Sequence, residues 1–310
     1  MTVANRTVVW IVSYPKSGNT WVRFLVCNLA FGPQDSAAAL NNLAPDIHEL
    51  SAAPDPPTSP VFIKTHFPYS AALPLAAHTA AAIYVVRDPA DVMLSNYHYS
   101  KRSGGPGSDP HAALQQYVDQ YLEARGDPRW IKSRMGAWDE HVLSWLGTKY
   151  PFPVLPVRYE DLLANTHGGA RQICSFLGLE RSDAEIQSAV SNASFDRMRQ
   201  IEEADIRARK VGIFYKPYLQ QSIDAGLRFM RAGKAGEAAQ VLTPDQRQRA
   251  LNTFGAVMHH LGYAQPPGHV QRPAHTPPLD PAPPPGLARP PGPAQRPALA
   301  EPAAPGEQPG

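Results

Sequence analysis

Short apolar runs alternate with amphipathic segments along most of the chain. The run Val8–Tyr14 is continuous and too short to span a membrane, which is typical of a strand buried on both faces of a parallel sheet. This run and three similar ones predict four strands. Helical periodicity between or after the strands predicts five long helices. The strands are predicted at 7–13, 60–64, 82–86 and 152–158, and the helices at 18–30, 89–99, 111–123, 135–146 and 168–177.

Strands that alternate with helices predict an α/β fold with a central, mostly parallel sheet flanked by helices. Polar residues follow each strand. Because the carboxyl ends of parallel strands meet at one edge, ligands bind there and these residues should gather there. Helices between 183 and 260 are expected to cover that edge. The four polar groups are Tyr14-Pro15-Lys16, Lys64-Thr65-His66, Arg87-Asp88 and Tyr159-Glu160-Asp161.

The composition changes sharply after Tyr263, since 16 of the 34 prolines lie in residues 265–310. A segment with so few apolar side chains and so many missing N–H donors cannot form a packed core. We therefore predict a folded domain at 1–264 and a disordered, proline-rich tail at 265–310. The glycine-rich stretch 103–109 is a candidate flexible lid.

Charge and cysteine content exclude several classes of protein. A formal net charge of +2 with 18% charged residues gives no reason to expect a nucleic-acid partner. Cys27 and Cys174 lie 147 residues apart, which disfavours a disulfide scaffold or a structural zinc site. No run of 18 apolar residues and no signal-peptide pattern is present, so no membrane span is expected. The sequence predicts a soluble cytoplasmic protein without a bound metal.

The stretch YPKSGNTW joins the first predicted strand to the first helix. Backbone N–H groups at a helix N-terminus bind anions, and Ser17, Gly18, Asn19 and Thr20 can offer N–H and hydroxyl groups to phosphate, with Lys16 as a point charge beside them. The stretch is not a Walker A motif, because that motif needs two glycines ahead of its lysine. A plain strand-to-helix turn with a solvated lysine is an equally good interpretation of this motif alone.

A second candidate anion site is VVRDPADVMLSNYHYS, residues 85–100. Asp88 is a good helix N-cap, Pro89 suits the first turn, and Ser95 can share a helix face with the start of the helix. The planar fork of Arg87 suits a phosphate because it donates to two oxygens at once. A helix cap beside an exposed arginine would explain the same residues.

The order and spacing of these two motifs closely resemble the sulfotransferases that use 3′-phosphoadenosine 5′-phosphosulfate (PAPS). The resemblance is to the cytosolic-type domain and continues at FIKTH, RYEDL and FMRAGKAGEAAQVLTPDQ, so it spans nearly the whole predicted domain. It implies a P-loop-like sulfotransferase fold, PAPS as co-substrate and 3′-phosphoadenosine 5′-phosphate (PAP) as product. An Ala-, Pro- and Arg-rich composition indicates a bacterial member, for which secondary metabolites or glycans are typical acceptors.

The resemblance also implies residue roles. Residues 16–20 would hold the 5′-phosphosulfate, Trp21 would stack on adenine, and Arg87 with Ser95 would bind the 3′-phosphate. Tyr159 would line the nucleoside pocket, and a late segment would close over it. The implied donor-binding residues are Lys16, Ser17, Gly18, Asn19, Thr20, Trp21, Arg87, Ser95, Tyr159, Phe229, Arg231 and Gly233.

The late segment departs from the family pattern at two positions. Ala232 stands where the family has lysine, and Ala238 where it has tryptophan. The phosphate contact that the family lysine makes therefore has no residue at position 232, and Lys234 and Lys210 are candidates to make it instead.

The catalytic residues implied by the resemblance are His66, Lys16 and Lys64. His66 follows a predicted strand at the position of the family's general base, and an unperturbed pKa of about 6.5 suits proton transfer near neutral pH. His48, His98 and His141 have no comparable placement along the sequence.

The acceptor is predicted only as a small molecule or glycan with a hydroxyl or amine, bound by the segments 32–58, 100–110 and 202–219. Two other functions stay open at this point: a P-loop-type small-molecule kinase, and a nucleotide-binding scaffold without catalysis. A homodimer is also left open.

Overall fold

Four parallel strands form a single sheet in the order β2-β1-β3-β4. The computed structural model describes residues 6–50, 55–102 and 110–263, so the predicted lid at 103–109 and the predicted tail lie outside the described residues. The strands are β1 Val8–Ser13, β2 Val61–Thr65, β3 Thr79–Val86 and β4 Val154–Arg158. This confirms the predicted α/β class with its parallel sheet.

Thirteen α-helices surround the sheet in the described part of the chain, together with 3₁₀ turns at Ile47–Glu49, Ala76–His78 and Pro217–Leu219. The five predicted helices are present, with ends shifted by up to three residues. The helices are α1 Asn19–Phe31, α2 Ala37–Leu43, α3 Pro89–Arg102, α4 Pro110–Glu123, α5 Pro128–Lys132, α6 Trp138–Leu146, α7 Tyr159–Ala164, α8 Thr166–Leu177, α9 Asp183–Asn192, α10 Phe195–Arg207, α11 Gln220–Asp224, α12 Glu237–Val241 and α13 Pro244–His260.

The sheet is buried on both faces, which is why its strands are continuous apolar runs. Val9 and Ile11 pack on one side in a core that includes residues of α1, α8 and α9. Trp10 and Val12 pack on the other side, in a core that includes residues of α4, α6 and α13. Both layers leave the carboxyl ends of the strands at the same edge.

No helix among the described residues is both long enough and apolar enough to cross a membrane.

Candidate functional site

A cavity of about 620 Å³ opens at the carboxyl edge of the sheet. It is bounded by the residues that follow β1, β2 and β3, by the start of α7, and by the segment around Phe229. Of the residues assigned a donor-binding or catalytic role by the resemblance, only Ser17 does not line it. The lining residues among them are Lys16, Gly18, Asn19, Thr20, Trp21, Lys64, His66, Arg87, Ser95, Tyr159, Phe229, Arg231 and Gly233.

The turn between β1 and α1 has a backbone that few side chains tolerate. Lys16 has φ of 73° and Gly18 has φ of 99°. A Cβ on Gly18 would lie 2.6 Å from Cδ2 of Tyr159, so glycine is required there for both conformation and space. No side chain caps the first turn of α1. Ser17 Oγ is buried without a hydrogen-bond partner. The turn therefore has unpaired donors, as an anion site needs.

Lys16 lies between two aromatic rings. Its Nζ is 4.3 Å from the centroid of the Tyr99 ring and 4.4 Å from that of Phe229. Burial, followed by the charges of Arg102, Arg87 and Arg231, lowers the pKa of Lys16 to about 7. Near neutral pH the Lys16 amine is therefore only partly protonated, and an anion that enters the cavity favours its charged form.

Arg87 lies across the same turn, at the end of β3. Its Nη2 donates to the carbonyl of Lys234 at 2.8 Å and to Asp91 Oδ2 at 3.3 Å, while Nε is buried without a partner. Its Cζ lies 4.5 Å from the centroid of the Tyr159 ring. Ser95, on α3, lines the same cavity. The chain thus brings a guanidinium and a hydroxyl to one wall, as the second motif predicted.

Residues 229–234, the first part of the segment 229–238, form a wall of the cavity. Two carboxylates accept hydrogen bonds from the backbone of this segment: Glu202 from the N–H of Phe229 at 2.6 Å and of Met230 at 2.9 Å, and Asp91 from Gly236 at 2.7 Å and Ala238 at 2.9 Å. Gly233 has φ of 61°, and a Cβ there would collide with the Phe195 ring.

The structure shows what surrounds the positions at which the late segment departs from the family pattern. Lys234 lines the cavity, whereas Lys210 is exposed and does not. Arg231 forms an ion pair with Glu237 through both Nη atoms. Ala238 is buried in the core at the position where a larger side chain was expected. Trp21 meets Tyr159 edge to face, with ring centroids 5.4 Å apart.

His66 lines the cavity one residue beyond β2. Its Nδ1 lies 2.7 Å from the carbonyl oxygen of Ser13. A carbonyl can only accept, so Nδ1 carries the proton and Nε2 has a lone pair. Burial is the main reason that the pKa of His66 lies well below 6.5, and the charge of Lys64 contributes next. The imidazole is therefore neutral at neutral pH, with a lone pair at Nε2 that can accept a proton.

Two histidines that sequence reasoning set aside hold the peptide groups of His66. The His66 N–H donates to His48 Nε2 at 2.8 Å, and His141 Nε2 donates to the His66 carbonyl at 3.0 Å. The Tyr84 hydroxyl donates to His141 Nδ1 at 2.8 Å and so fixes its tautomer. Burial lowers the pKa of His48 to about 4 and that of His141 to about 3. These partners lie 18 and 75 residues from His66, so no local motif could have revealed them.

Lys64 lines the cavity but is already paired. Its Nζ lies 2.7 Å from Asp46 Oδ2. The hydroxyl of Thr65 accepts the N–H of Phe67 at 3.0 Å and is buried away from the cavity. Tyr69 packs against Trp145, Tyr150 and Phe152 and does not line the cavity.

The three segments predicted to bind an acceptor each contribute to the cavity. Glu49 and Lys216 form an ion pair at 3.1 Å, and Arg102 and Tyr218 lie among the lining residues. No group of three or more His, Cys, Asp or Glu side chains suited to a metal is present among the described residues.

Residues 6–262 match the family model of the sulfotransferase domain. The chain is 26% identical over 259 residues to the amine sulfotransferase of Oryctolagus cuniculus, covering 79% of each protein. It is 28% identical over 200 residues to sulfotransferase 2B1 of Homo sapiens, covering 62% of this chain and about half, 52%, of that relative.

Solved structures share the fold. Mouse sulfotransferase SULT7A1 complexed with PAP superposes with a TM-score of 0.56 at 22% identity, covering 82% of this chain and 85% of that one. Retinol dehydratase in complex with androsterone and inactive cofactor PAP gives 0.57 at 20% identity, covering 82% and 81%. Because the family model matches most of the chain, this protein belongs to the sulfotransferase domain family.

Proposed function

We propose that the protein transfers a sulfuryl group from PAPS to a hydroxyl or amine of a small-molecule or glycan acceptor. One observation carries the proposal: a neutral His66 with a free Nε2 lone pair lines the same cavity as Lys16 and Arg87. A general base and an anion-binding turn in one cavity suit transfer between an anionic donor and a protic acceptor.

The unpaired groups of the site fit a donor with phosphates at both ends. Ser17 Oγ and Arg87 Nε are buried donors without partners, and buried polar groups are rarely left unpaired. Residues 16–20 would hold the 5′-phosphosulfate, and Arg87 with Ser95 the 3′-phosphate. Trp21, Tyr159, Phe229, Arg231 and Gly233 would enclose the nucleoside, and Lys234 is our candidate for the missing family lysine.

The bound donor supplies the sulfuryl group, and the chain's own residues supply the rest. His66 Nε2 takes the proton from the hydroxyl or amine of the acceptor. At the same time, the oxygen or nitrogen of the acceptor forms the new bond to sulfur. Lys16 stabilises the charge that develops on the phosphate oxygen as the sulfur–oxygen bond of the donor breaks. The Ser13 carbonyl keeps His66 in the reactive tautomer. We assign Lys64 a supporting role, because Asp46 already neutralises it.

Relatives and neighbours support the choice of donor and acceptor class. Both solved neighbours hold PAP, and retinol dehydratase also holds androsterone. We further propose a cytoplasmic location, in line with the buried thiols Cys27 and Cys174. The homodimer and the bacterial origin stay predictions.

The test is a transfer assay with radiolabelled PAPS, a panel of phenols, alcohols and arylamines, and an extract of the host. We expect PAP to bind and at least one acceptor to be labelled. His66→Ala should reduce turnover by about 10²–10⁴ while PAP binding stays the same. The exposed His259 on α13 provides the matched control, and His259→Ala should behave as wild type.

The alternatives give different results. Binding of ATP–Mg²⁺ in place of PAP would support a kinase. Binding of PAP without labelling of any acceptor would support a scaffold. Unchanged turnover of His66→Ala would remove His66 from the mechanism.

A further inference from the structure

One face of α3 runs along the cavity from the predicted 3′-phosphate site to the acceptor side. Ser95, Tyr99 and Arg102 are spaced i, i+4 and i+7, so they share a helix face, and all three line the cavity. Tyr99 contacts Lys16, and Arg102 lies about 10 Å beyond Ser95 along the helix axis. Lys16 Nζ and Arg102 Cζ lie 4.4 and 5.7 Å from the centroid of the same Phe229 ring. Arg102 therefore lies near the same aromatic ring as Lys16, the residue proposed to act on the leaving phosphate oxygen.

Each of the two carboxylates that line this side of the cavity pairs with a lysine. Asp46 pairs with Lys64 at 2.7 Å, and Glu49 pairs with Lys216 at 3.1 Å. Asp46 is also the carboxylate that most stabilises the charge of Arg23, a buried arginine that lines the cavity. Among the described residues that line the cavity, both carboxylates are thus already paired, which disfavours a cationic acceptor.

The charge of Arg102 is not paired with any carboxylate in the part of the chain that the structure describes. The residue is only 3% exposed, its Nη2 donates to the Phe214 carbonyl at 2.8 Å, and its Nε is buried without a partner. Within the described residues no ion pair includes it. Both oxygens of Glu202, the carboxylate that acts on it most, already accept backbone N–H groups. A buried guanidinium in this state is costly unless an anion completes it.

We infer that the acceptor carries an anionic group, such as a carboxylate, in addition to the hydroxyl or amine that is sulfated, and that Arg102 binds this group. The inference rests on the proposed function and names the acceptor class for the same site. Tyr99 and Trp130 line the cavity nearby and suit an aromatic or other flat acceptor body.

The test uses two probes of the same shape, 4-hydroxyphenylacetate and its neutral amide, titrated into the full-length protein saturated with PAP. We expect the carboxylate to bind about tenfold to hundredfold more tightly than the amide, as suits a charge-assisted hydrogen bond. Arg102→Met should abolish this preference and leave binding of the amide unchanged. Arg102→Lys should keep part of the preference for the carboxylate, because lysine has the same charge but lacks the planar guanidinium.

Lys101→Met is the matched control, because it removes the same charge from a neighbouring residue that does not line the cavity. Each variant is first checked for its melting temperature and for PAP binding. Equal binding of the two probes by wild type, binding of neither, or loss of both in Arg102→Met would overturn the inference. Loss of both would mean that Arg102 serves the donor. Failure of wild type to bind PAP would instead refute the proposed function.

Discussion

At the scale of single residues, Lys16 shows how the site is prepared for an anion. The side chain is half-buried, and the charges that most affect it are those of Arg102, Arg87 and Arg231, which with burial bring its pKa to about 7. Because the amine is buried and like charges lie around it, part of the Lys16 population gives up its proton near neutral pH. A bound polyanion reverses that balance and favours the charged form.

We therefore predict that PAP binding takes up a proton at Lys16. Below pH 7 the lysine is already charged, so affinity should vary little; above pH 7 it should weaken by up to about tenfold per pH unit. Calorimetry in buffers of different ionisation enthalpy measures the uptake directly. Lys16→Met should bind more weakly and lose the alkaline dependence. An affinity that is flat from pH 6 to 9 in wild type would contradict the prediction.

Some residues of the site could be predicted from the sequence, and others could not. Lys16, Gly18, Arg87 and Ser95 belong to short motifs in which spacing along the chain fixes spacing in space. The contacts of His48 and His141 with His66 depend instead on how distant elements pack, which a short pattern does not contain. The sequence thus predicted the groups proposed for the chemistry but not those that orient the base.

At the scale of elements, the segment 229–238 is held by buried carboxylates at both ends. Glu202, on α10, is fully buried and accepts from the backbone at Phe229, and Asp91, on α3, accepts at Gly236 and Ala238. Hydrogen bonds to charged acceptors stabilise by about 1.5–3 kcal/mol each. These anchors fix the wall that includes Phe229 without the large side chain that the family has at position 238.

We predict that Glu202→Gln weakens PAP binding by about tenfold to hundredfold, because one acceptor oxygen is replaced by a donor and the wall loosens. Glu203→Gln is the control, since the Glu203 side chain is half exposed and lies 3.7 Å from Arg199. Calorimetric titration measures both. Equal affinities for the two variants would show that the anchor does not position the site.

The elements themselves were predicted unevenly. All four strands were found because burial on both faces makes them continuous apolar runs. The five-residue helices α5, α11 and α12 were missed because one turn cannot display a period of 3.6. The polar stretch at Tyr159 was predicted only to follow the fourth strand; in the structure it forms the first turn of α7, where Glu160 and Asp161 favour a helix N-terminus.

At the scale of the whole molecule, Tyr263, the last described residue, is connected through Glu160 to the backbone of Asp88, next to Arg87. The Tyr263 hydroxyl donates to Glu160 Oε2 at 2.7 Å, and Glu160 Oε1 accepts the N–H of Asp88 at 3.0 Å. Asp88 in turn caps α3 by accepting the N–H of Ala90 at 2.8 Å, next to Arg87. The end of the domain thus supports the wall that presents the guanidinium.

This chain of contacts predicts where the domain can be cut. A protein that ends at residue 264 should keep the melting temperature and the PAP affinity of the full chain, since every contact named above is retained. Tyr263→Phe in the full chain should lower the melting temperature by roughly 2–6 °C, because the carboxylate of Glu160 loses a buried donor. Thermal unfolding followed by circular dichroism measures both. A truncated protein that melts earlier than the full chain would mean that residues 265–310 contribute to the folded domain, which would refute the proposed boundary. A Tyr263→Phe variant as stable as wild type would mean instead that the contact with Glu160 does not hold the wall.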